Sequence, residues 1–568
     1  MLMKLPIVLL CLGLAVHANS EEAAPRVKTP LGGLKGYYKI SQDGRQYEAY
    51  EGVPFALPPI GKLRFKPPRP IPAWTGEILA TKFGSQCLQY SQLPSGPMDK
   101  VEGAEDCLYL NIYVPVRTGN KTPLPVLFWI HGGAFQFGSG MFYGAKYLMD
   151  RDVILVTINY RLGPLGFLST EDDVVPGNMG LKDQSMALRW VSENIEWFGG
   201  NPKKITLVGM SAGGASVHYH YLSKMSAGLF QGGISVSGTA FNCWTQTENA
   251  KEKAKKLGAL MGCPTSNSRD MIRCLRHRPA RAIAQADSDF MSFLYNPFTP
   301  FGPVPERVGD ATPFIDRTPA EIVSSGDVQD VPWITGVVTE EGLYPVAEFI
   351  ANEEALKQLN DNWDVLGPEF LDFNHTLPRE RHVETARLIK QHYLGTKPID
   401  TRSTKELVQM AGDRFFVVDS EKVARMQAKV NQNPVWYYYY SYNGAESLST
   451  ALSGYTTNKY YGVSHGDDVF IVLDTPYFDP ITTQEDRDMQ QHWLDFWASF
   501  ATDGVPKVSN VEWPRLDPSK KDLHYLHFAG PTKIYMDSNA NLGEKTFWSS
   551  IKFNENVLKQ SKAKKDEL

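Results

Sequence analysis

The sequence predicts an α/β fold, with a large, mostly parallel central sheet covered by helices on both faces. Three short apolar runs, at residues 125–130, 153–160 and 205–208, suit strands that are buried on both faces. Residues 181–194 have helical spacing of apolar side chains, and such alternation of strand and helix is typical of parallel sheets. Short alternating runs within residues 27–50 indicate a small N-terminal antiparallel sheet.

The later part of the chain continues this pattern. The apolar runs 331–338 and 435–442 are candidates for late strands of the same sheet. A final amphipathic helix carries an apolar stripe, which we interpret as core and not as an aromatic ligand-binding site. The stripe consists of Met489, Trp493, Phe496, Trp497 and Phe500. Residues 21–560 contain no repeat and no low-complexity linker, so one large domain is the simplest organisation.

The two ends of the chain indicate a cellular address. Residues 1–20 combine Lys4, an apolar stretch and small residues, which is typical of a secretory signal peptide. The tail 561–568 ends in Lys-Asp-Glu-Leu, the signal read by the KDEL receptor. We therefore expect a protein retained in the lumen of the endoplasmic reticulum. After the signal peptide no uninterrupted apolar segment reaches the roughly 18 residues of a membrane span, so stable membrane insertion is not expected.

Charge and glycosylation motifs fit a lumenal protein. The formal net charge is −5, so no overall basic character points to a nucleic-acid partner. Asn120 and Asn374 each begin an Asn-x-Thr sequence, and we expect both to be glycosylated.

The cysteines also fit an oxidising compartment, which permits disulfides. Pairing Cys87 with Cys107 and Cys263 with Cys274 would close two short loops and leave Cys243 free. The spacing of the cysteines does not by itself decide this pairing.

Residues 209–213 read Gly-Met-Ser-Ala-Gly and directly follow an apolar run. A strand, a tight turn with serine at its tip and a helix form a nucleophile elbow, and residues 215–222 are the candidate helix. The glycines permit a crowded backbone that lifts the Ser211 hydroxyl out of the fold. The alternative is a turn of small residues at a helix N-terminus, without catalytic meaning.

A nucleophilic serine needs a base, and the base needs an orienting acid. In the strand–elbow–helix arrangement the acid and then the histidine follow the serine along the chain. Glu340 and Glu341 end a predicted strand and precede a glycine, and the residues do not decide between them. His465 lies in a glycine-flanked loop that can present its imidazole. His218 and His220 follow the elbow too closely and are interpreted as packing or surface residues.

Residues 130–135, Ile-His-Gly-Gly-Ala-Phe, follow another predicted strand. They resemble the His-Gly-Gly-Gly loop whose backbone N–H groups face a developing oxyanion. Small residues there let the backbone approach a substrate closely.

Together these motifs resemble the type-B carboxylesterases, in the cholinesterase-like branch of the α/β-hydrolases, with insect-type carboxylesterases the nearer match. The resemblance extends over essentially the whole mature chain. The other matching segments are 105–111 (EDCLYLN), 159–163 (NYRLG), 177–184 (GNMGLKDQ), 198–202 (FGGNP) and 237–238 (SG).

The resemblance implies an α/β-hydrolase fold, ester hydrolysis, and no metal or organic cofactor. It selects Glu341 as the triad acid and His465 as the base for Ser211. It implies further roles for the following residues: oxyanion donors Gly133, Ala134 and Ala212, acyl-pocket residue Trp244, disulfides Cys87–Cys107 and Cys263–Cys274, and structural ion pairs Arg64–Glu105 and Arg161–Asp183. The sequence departs from the family's three glycines at Ala134, which keeps its N–H and adds one methyl group.

Two positions bear on the substrate. Cholinesterases have a tryptophan for cation–π contact with choline where this chain has Pro97, so a choline ester is not expected. Juvenile hormone esterases usually carry glutamine where this chain has Met210. We therefore expect a serine esterase for small to medium uncharged esters, xenobiotic or lipid-like, acting through an acyl-serine intermediate. The alternatives are a dedicated juvenile-hormone or pheromone esterase and, more remotely, a non-catalytic neuroligin-like adhesion protein.

Overall fold

The computed structural model describes residues 24–92, 100–119, 122–307, 309, 312–452, 461–509 and 511–557. The predicted signal peptide and retention signal, the sequon residue Asn120 and the position of Pro97 lie outside these residues.

Sixteen strands are found in the described part of the chain, and they form three sheets. The strands are β1 (Arg26–Thr29), β2 (Gly32–Lys35), β3 (Tyr37–Ile40), β4 (Gln46–Pro54), β5 (Glu77–Leu79), β6 (Gln89–Tyr90), β7 (Val101–Glu102), β8 (Tyr109–Pro115), β9 (Leu124–Ile130), β10 (Ile154–Ile158), β11 (Gly200–Met210), β12 (Gly232–Val236), β13 (Trp333–Val338), β14 (Val435–Tyr440), β15 (Leu523–Gly530) and β16 (Lys533–Asn539).

The α-helices lie between and after these strands. They are α1 (Gly163–Phe167), α2 (Met179–Asn194), α3 (Ala212–Tyr221), α4 (Ala250–Leu260), α5 (Ser268–Leu275), α6 (Ala280–Gln285), α7 (Pro319–Ser325), α8 (Leu343–Ile350), α9 (Glu353–Asp361), α10 (Trp363–Phe370), α11 (His382–Leu394), α12 (Thr404–Gly412), α13 (Val418–Val430), α14 (Leu448–Leu452), α15 (Asp467–Phe470), α16 (Gln484–Asp503) and α17 (Lys545–Ser550). A π-helical turn, Asp413–Val417, joins α12 to α13.

The large sheet has eleven strands in the order β16-β15-β14-β13-β12-β11-β9-β10-β8-β4-β3. Its centre, from β15 to β10, is parallel, and its two edges pair antiparallel. This confirms the predicted mostly parallel sheet. The hairpin of β15 and β16 extends the sheet beyond the last predicted strand, at β14.

Both faces of the sheet are buried, which explains why its central strands are continuous apolar runs. On β9, Phe128 and Ile130 belong to one core cluster, whereas Leu127 and Trp129 belong to the cluster on the other face. Helix α2 contributes to the first cluster and α16 to the second. All five residues of the predicted stripe on α16 are at most 1% exposed, so the stripe is core, as expected.

The small N-terminal sheet is present, but it is mixed and not purely antiparallel. Strands β1 and β2 pair antiparallel, whereas β5 joins β2 in parallel. A hairpin enforces antiparallel pairing, but the long connection from β2 to β5 lets the chain return in the same direction. Strands β3 and β4, which the alternating pattern had suggested for this small sheet, instead form an edge of the large one.

The disulfides and ion pairs implied by the family resemblance are confirmed. Disulfide bonds join Cys87 to Cys107 and Cys263 to Cys274, and Cys243 is buried with a free thiol. Two arginine–carboxylate pairs are bidentate, with all four N–O distances at 2.6–2.7 Å. These pairs are Arg64–Glu105 and Arg161–Asp183.

No helix in the described ranges is both long and apolar enough to cross a membrane.

Candidate active site

Three parallel strands end at one edge of the sheet and bring the predicted site residues together. Ser211 directly follows β11, Glu341 lies three residues after β13, and the glycine loop follows β9. The carboxyl ends of parallel strands share one edge, which is where open α/β sheets bind ligands. His465 lies on a separate loop. This loop is held at the same edge of the sheet because Ser464 pairs with Glu340 in an isolated parallel bridge.

Ser211 occupies the sharp turn of a nucleophile elbow. Its backbone has φ 60° and ψ −124°, between the end of β11 and the first residue of α3. Its N–H donates to the Val236 carbonyl at 2.8 Å. A Cβ at Gly213 would lie 2.0 Å from the Ile130 carbonyl oxygen, so this helix–strand contact requires glycine. The positive φ of Ser211 is a strained conformation for a residue other than glycine, and such strain is characteristic of functional positions. The predicted order of strand, turn and helix is confirmed.

His465 and Glu341 form a buried, closely bonded pair. The His465 Nδ1–Glu341 Oε2 distance is 2.6 Å, and the two side chains are 1% and 0% exposed. The other carboxylate oxygen, Oε1, accepts the Val338 N–H at 2.9 Å. Because Nδ1 donates to the carboxylate, we assign the neutral imidazole tautomer whose lone pair lies on Nε2. Among the described residues this buried Nε2 has no hydrogen-bond partner.

The packing around His465 places it next to the elbow. A Cβ at Gly466 would lie 2.9 Å from the Sδ of Met210, the residue before Ser211. The rings of Phe416 and Tyr344 lie 4.5 Å and 5.2 Å from the imidazole. These aromatic neighbours hold the imidazole orientation and exclude water from its surroundings.

The structure separates the roles of the two adjacent glutamates. The Glu340 N–H donates to the Val463 carbonyl at 3.1 Å, and Glu340 Oε2 accepts the Val463 N–H at 2.8 Å. Gly462, at φ 130°, passes so close that a Cβ there would lie 2.7 Å from the Glu340 carboxyl carbon. Glu340 therefore holds the loop that carries His465, whereas Glu341 contacts the histidine itself.

The peptide groups of the glycine loop are oriented by hydrogen bonds to their carbonyls. The Gly132 carbonyl accepts His131 Nδ1 at 2.8 Å, and the Gly133 carbonyl accepts the Gln136 N–H at 2.8 Å. In a trans peptide the following N–H points opposite to the carbonyl. The amides of Gly133 and Ala134 are therefore directed away from these internal bonds.

Close packing brings this loop against the elbow. A Cβ at Gly132 would lie 3.0 Å from the Cβ of Ser211. Ala212 is the first residue of α3, and the first amides of a helix have no carbonyl partner within it. Thus the three predicted oxyanion donors belong to two backbone segments that meet at Ser211.

Two supporting residues of this loop were not identified from the sequence. Gln136 Nε2 donates to the Ala134 carbonyl at 3.0 Å and also to the Phe301 carbonyl. Burial lowers the pKa of His131 to about 4, so the ring stays neutral. Its Nδ1 proton is then donated to the Gly132 carbonyl. The His-Gly-Gly motif contains His131, but only the folded loop shows what its ring bonds to.

Trp244 lies in an aromatic wall beside the triad. Its ring is 5.5 Å from Phe298, 5.9 Å from Phe416 and 6.3 Å from Phe135, the residue after Ala134. Its indole N–H donates to the Phe415 carbonyl at 2.9 Å. Phe415 and Phe416 lie on the π-helical turn, a local irregularity that is frequent at functional sites. No pattern in the sequence distinguished this turn from an ordinary buried helix.

The histidines after the elbow are packing residues, as interpreted. His218 and His220 are fully buried, and burial lowers their pKa values to about 4 and about 3. His218 Nε2 is bonded to Gln427 at 2.9 Å, 209 residues further along the chain.

The second sequon lies on the segment after α10. Asn374 is partly exposed, and its Nδ2 donates to Glu369 at 2.6 Å. Its glycosylation stays a prediction.

Comparisons with known proteins agree with this geometry. The model of the family described as "Carboxylesterase family" matches residues 23–548. Venom carboxylesterase-6 of Apis mellifera is 54% identical over 557 residues, covering 98% of this chain and 100% of that protein. Juvenile hormone esterase of Tribolium castaneum is 37% identical over 564 residues, covering 94% of each. The crystal structure of juvenile hormone esterase from Manduca sexta, with OTFP covalently attached, has a TM-score of 0.80 at 28% identity, covering 93% of this chain and 99% of that one. The chain is therefore a member of the carboxylesterase family, with the α/β-hydrolase fold.

Proposed function

We propose that the protein is a serine carboxylic-ester hydrolase that acts on small to medium uncharged esters through an acyl-serine intermediate. The observation that carries the proposal is the His465 ring. Its Nδ1 is held by Glu341 at 2.6 Å, and its Nε2, which has no hydrogen-bond partner in the described ranges, lies in a buried site beside the strained Ser211 turn. Those are the features that a base needs to activate a serine.

The catalytic cycle follows from this arrangement. Ser211 Oγ attacks the ester carbonyl carbon while His465 Nε2 takes the hydroxyl proton. The proton then passes to the leaving alcohol oxygen as the carbon–oxygen bond of the ester breaks. In the second half, His465 removes a proton from water, which attacks the acyl-serine and releases the acid. Glu341 keeps the imidazole in the required tautomer and stabilises the imidazolium in both halves.

The negative charge that develops on the carbonyl oxygen is stabilised by the amides of Gly133, Ala134 and Ala212. Each such donor is typically worth about 3 kcal/mol in the transition state. The donors are held before substrate arrives, since the peptide carbonyls of the glycine loop are already bonded. No reorganisation of these dipoles is then needed during the reaction.

The surroundings of the triad support uncharged substrates. The wall formed by Phe135, Trp244, Phe298 and Phe416 is aromatic, and Trp244 is 2% exposed. Such a wall favours apolar acyl groups through burial of nonpolar surface. The methyl group of Ala134 narrows the space at the carbonyl relative to glycine and favours compact acyl groups.

We further propose that the enzyme works in the lumen of the endoplasmic reticulum. The signal-peptide pattern of residues 1–20 and the terminal Lys-Asp-Glu-Leu support this address, with the KDEL receptor as the retaining partner. Glycans at Asn120 and Asn374 would be added in the same compartment. Retention favours processing of xenobiotic or lipid-like esters inside the cell over clearance of a circulating signal.

A second candidate function is hydrolysis of a dedicated signal ester, such as juvenile hormone or a pheromone. It is favoured by the likeness to juvenile hormone esterases of Tribolium castaneum and Manduca sexta. Met210, where such esterases usually carry glutamine, favours the general esterase.

The test is a turnover panel of 1-naphthyl, p-nitrophenyl and lipid esters together with juvenile hormone, comparing wild type with Ser211→Ala. We expect turnover of simple esters in wild type and its loss in Ser211→Ala. Paraoxon should inactivate the wild type and leave a phosphoryl group on Ser211, detected by peptide mass spectrometry. Equal rates in both proteins would overturn the proposal, and a strong preference for juvenile hormone over all simple esters would favour the second candidate.

A further inference from the structure

The aromatic wall consists of two chain segments that are bonded to each other. Asn242 Nδ2 donates to the Phe416 carbonyl at 3.1 Å, and Trp244 Nε1 donates to the Phe415 carbonyl at 2.9 Å. One segment, residues 241–246, presents Trp244, and the other, residues 414–416, presents Phe416. The position of the wall therefore depends on how these two segments are held.

A short C-terminal segment, residues 553–556, contacts both of them; we call it the strap. On the first side, Arg414 Nη1 and Glu555 Oε1 form an ion pair at 2.7 Å, with side chains 4% and 5% exposed. The Phe553 ring lies 4.1 Å from the Arg414 guanidinium carbon. Burial raises the strength of such a pair, but removing one partner leaves the other charge uncompensated. The strap thus holds the start of residues 414–416.

On the second side, one strap side chain spans the ends of residues 241–246. Asn556 Nδ2 donates to the Phe241 carbonyl at 2.7 Å, and Asn556 Oδ1 accepts Gln246 Nε2 at 3.0 Å. The strap backbone is itself held, because the Asn554 N–H donates to the Thr376 carbonyl at 2.9 Å. A single amide therefore ties together the two ends of the segment that carries Trp244.

Close packing does not fix the strap on its remaining side. A cavity of about 370 Å³ lies along it, lined among others by Arg414, Asp419, Phe553, Glu555 and Asn556. This space borders the strap and Arg414, so the polar contacts of the strap, and not close packing, hold the strap against residues 241–246 and 414–416. A displaced wall changes the space beside the triad, since the Phe416 ring lies 4.5 Å from His465.

We propose that Glu555 and Asn556 are positioning residues that set acyl-chain selectivity. They act without touching the substrate, by holding residues 241–246 against residues 414–416. This inference rests on the proposed ester hydrolysis at Ser211. Loss of either residue loosens the hold of the strap on residues 241–246 and 414–416, which lets the wall shift and makes room for longer acyl groups.

The experiment measures kcat/KM of the full-length enzyme for p-nitrophenyl acetate, butanoate and octanoate. The variants are Asn556→Ala, Asn556→Asp, which keeps an acceptor for Gln246 but has no donor for the Phe241 carbonyl, and Glu555→Gln. The control is Glu421→Gln, the same acid-to-amide change at a buried glutamate (2% exposed), paired with Arg425 at 2.8 Å and Lys545 at 2.6 Å.

We expect the octanoate-to-acetate ratio of kcat/KM to rise by at least about threefold in the strap variants, less than the roughly 10–200-fold that one methylene is worth in a pocket, because the strap acts on the wall indirectly. Glu421→Gln should keep the wild-type ratio. A series of acetate esters with different alcohols should keep its order in all variants, because the wall contacts the acyl side. Thermal unfolding then separates selectivity from stability, since a merely structural role lowers Tm without changing the ratio.

Three results have distinct meanings. An unchanged ratio in folded Asn556→Asp and Glu555→Gln overturns the role of the strap while leaving ester hydrolysis intact. An equal change in Glu421→Gln also overturns it. Absence of Ser211-dependent turnover in wild type overturns the proposed function, and with it this inference.

Discussion

Exchanging one carboxylate for an amide at each of two adjacent glutamates tests the assignment of the triad acid. In Glu341→Gln the side chain keeps its size, but its NH₂ group can face His465 Nδ1. The imidazole then turns to the tautomer that places its proton on Nε2, where it cannot accept the serine proton. Glu340→Gln makes the same chemical change one residue earlier, where the carboxylate accepts hydrogen bonds from Val463 in the histidine loop and from Thr339.

The structure gives the expected magnitudes. The Glu341–His465 contact is 2.6 Å long and both side chains are at most 1% exposed, so water cannot replace the lost carboxylate. Loss of the orienting acid of a triad lowers kcat about 10⁴-fold, which corresponds to about 5.4 kcal/mol of activation free energy. In Glu340→Gln the side-chain amide oxygen can still accept the Val463 N–H, so we expect kcat to fall by less than about tenfold in this variant.

The assay is steady-state hydrolysis of p-nitrophenyl acetate by wild type and both variants, with circular dichroism and Tm as folding controls. The rate of labelling by a fluorophosphonate should fall in parallel with kcat, because it also requires an activated Ser211. If Glu340→Gln lost as much activity as Glu341→Gln while both stayed folded, the assignment of the acid would be wrong.

Two further predictions concern residues outside the triad. Ser441 Oγ, His527 Nε2 and Asp537 form a second serine–histidine–aspartate cluster, with distances of 2.8 Å and 3.3 Å, but Ser441 lacks the positive φ that Ser211 has in its elbow. We expect fluorophosphonate to leave Ser441 unlabelled in Ser211→Ala, and a labelled Ser441 peptide in mass spectra would contradict the importance given to the elbow. Burial lowers the pKa of His220 to about 3 from 6.5, so its contribution to stability is present above pH 6.5 and is lost as the pH falls toward 3. Between pH 7.5 and 5, urea unfolding should show wild type losing about 2 kcal/mol more than His220→Gln, and equal losses would refute this.

Several features of the fold and the site could be predicted because they are local. The elbow needs glycines at positions 209 and 213, and the central strands are apolar throughout because both sheet faces are covered. The small sheet was less predictable. The alternating residues of the N-terminal segment indicate strands, but they do not show that β5, far along the chain, pairs with β2. The family motifs supplied the disulfide pairing, which cysteine spacing had left open.

Other features arise only where distant segments meet. Glu340 and Glu341 are chemically alike and adjacent, and they differ only because the chain turns one toward the histidine loop and the other toward the imidazole. The π-helical turn and the strap give no local signal, because their roles depend on contacts such as Glu555–Arg414, 141 residues apart.

The sequence by itself determined the strand–helix order, the nucleophile elbow and the glycine loop, since each depends on neighbouring residues and their backbone preferences. The tertiary structure gave the physical reason why Glu341, which the family motif had implied, orients His465, and it decided how the amides of Gly133 and Ala134 are directed and what holds the acyl wall. These depend on the directions of side chains and peptide groups in packed contacts between distant segments. Residue types and spacing do not encode such directions until the sheet has brought the segments together.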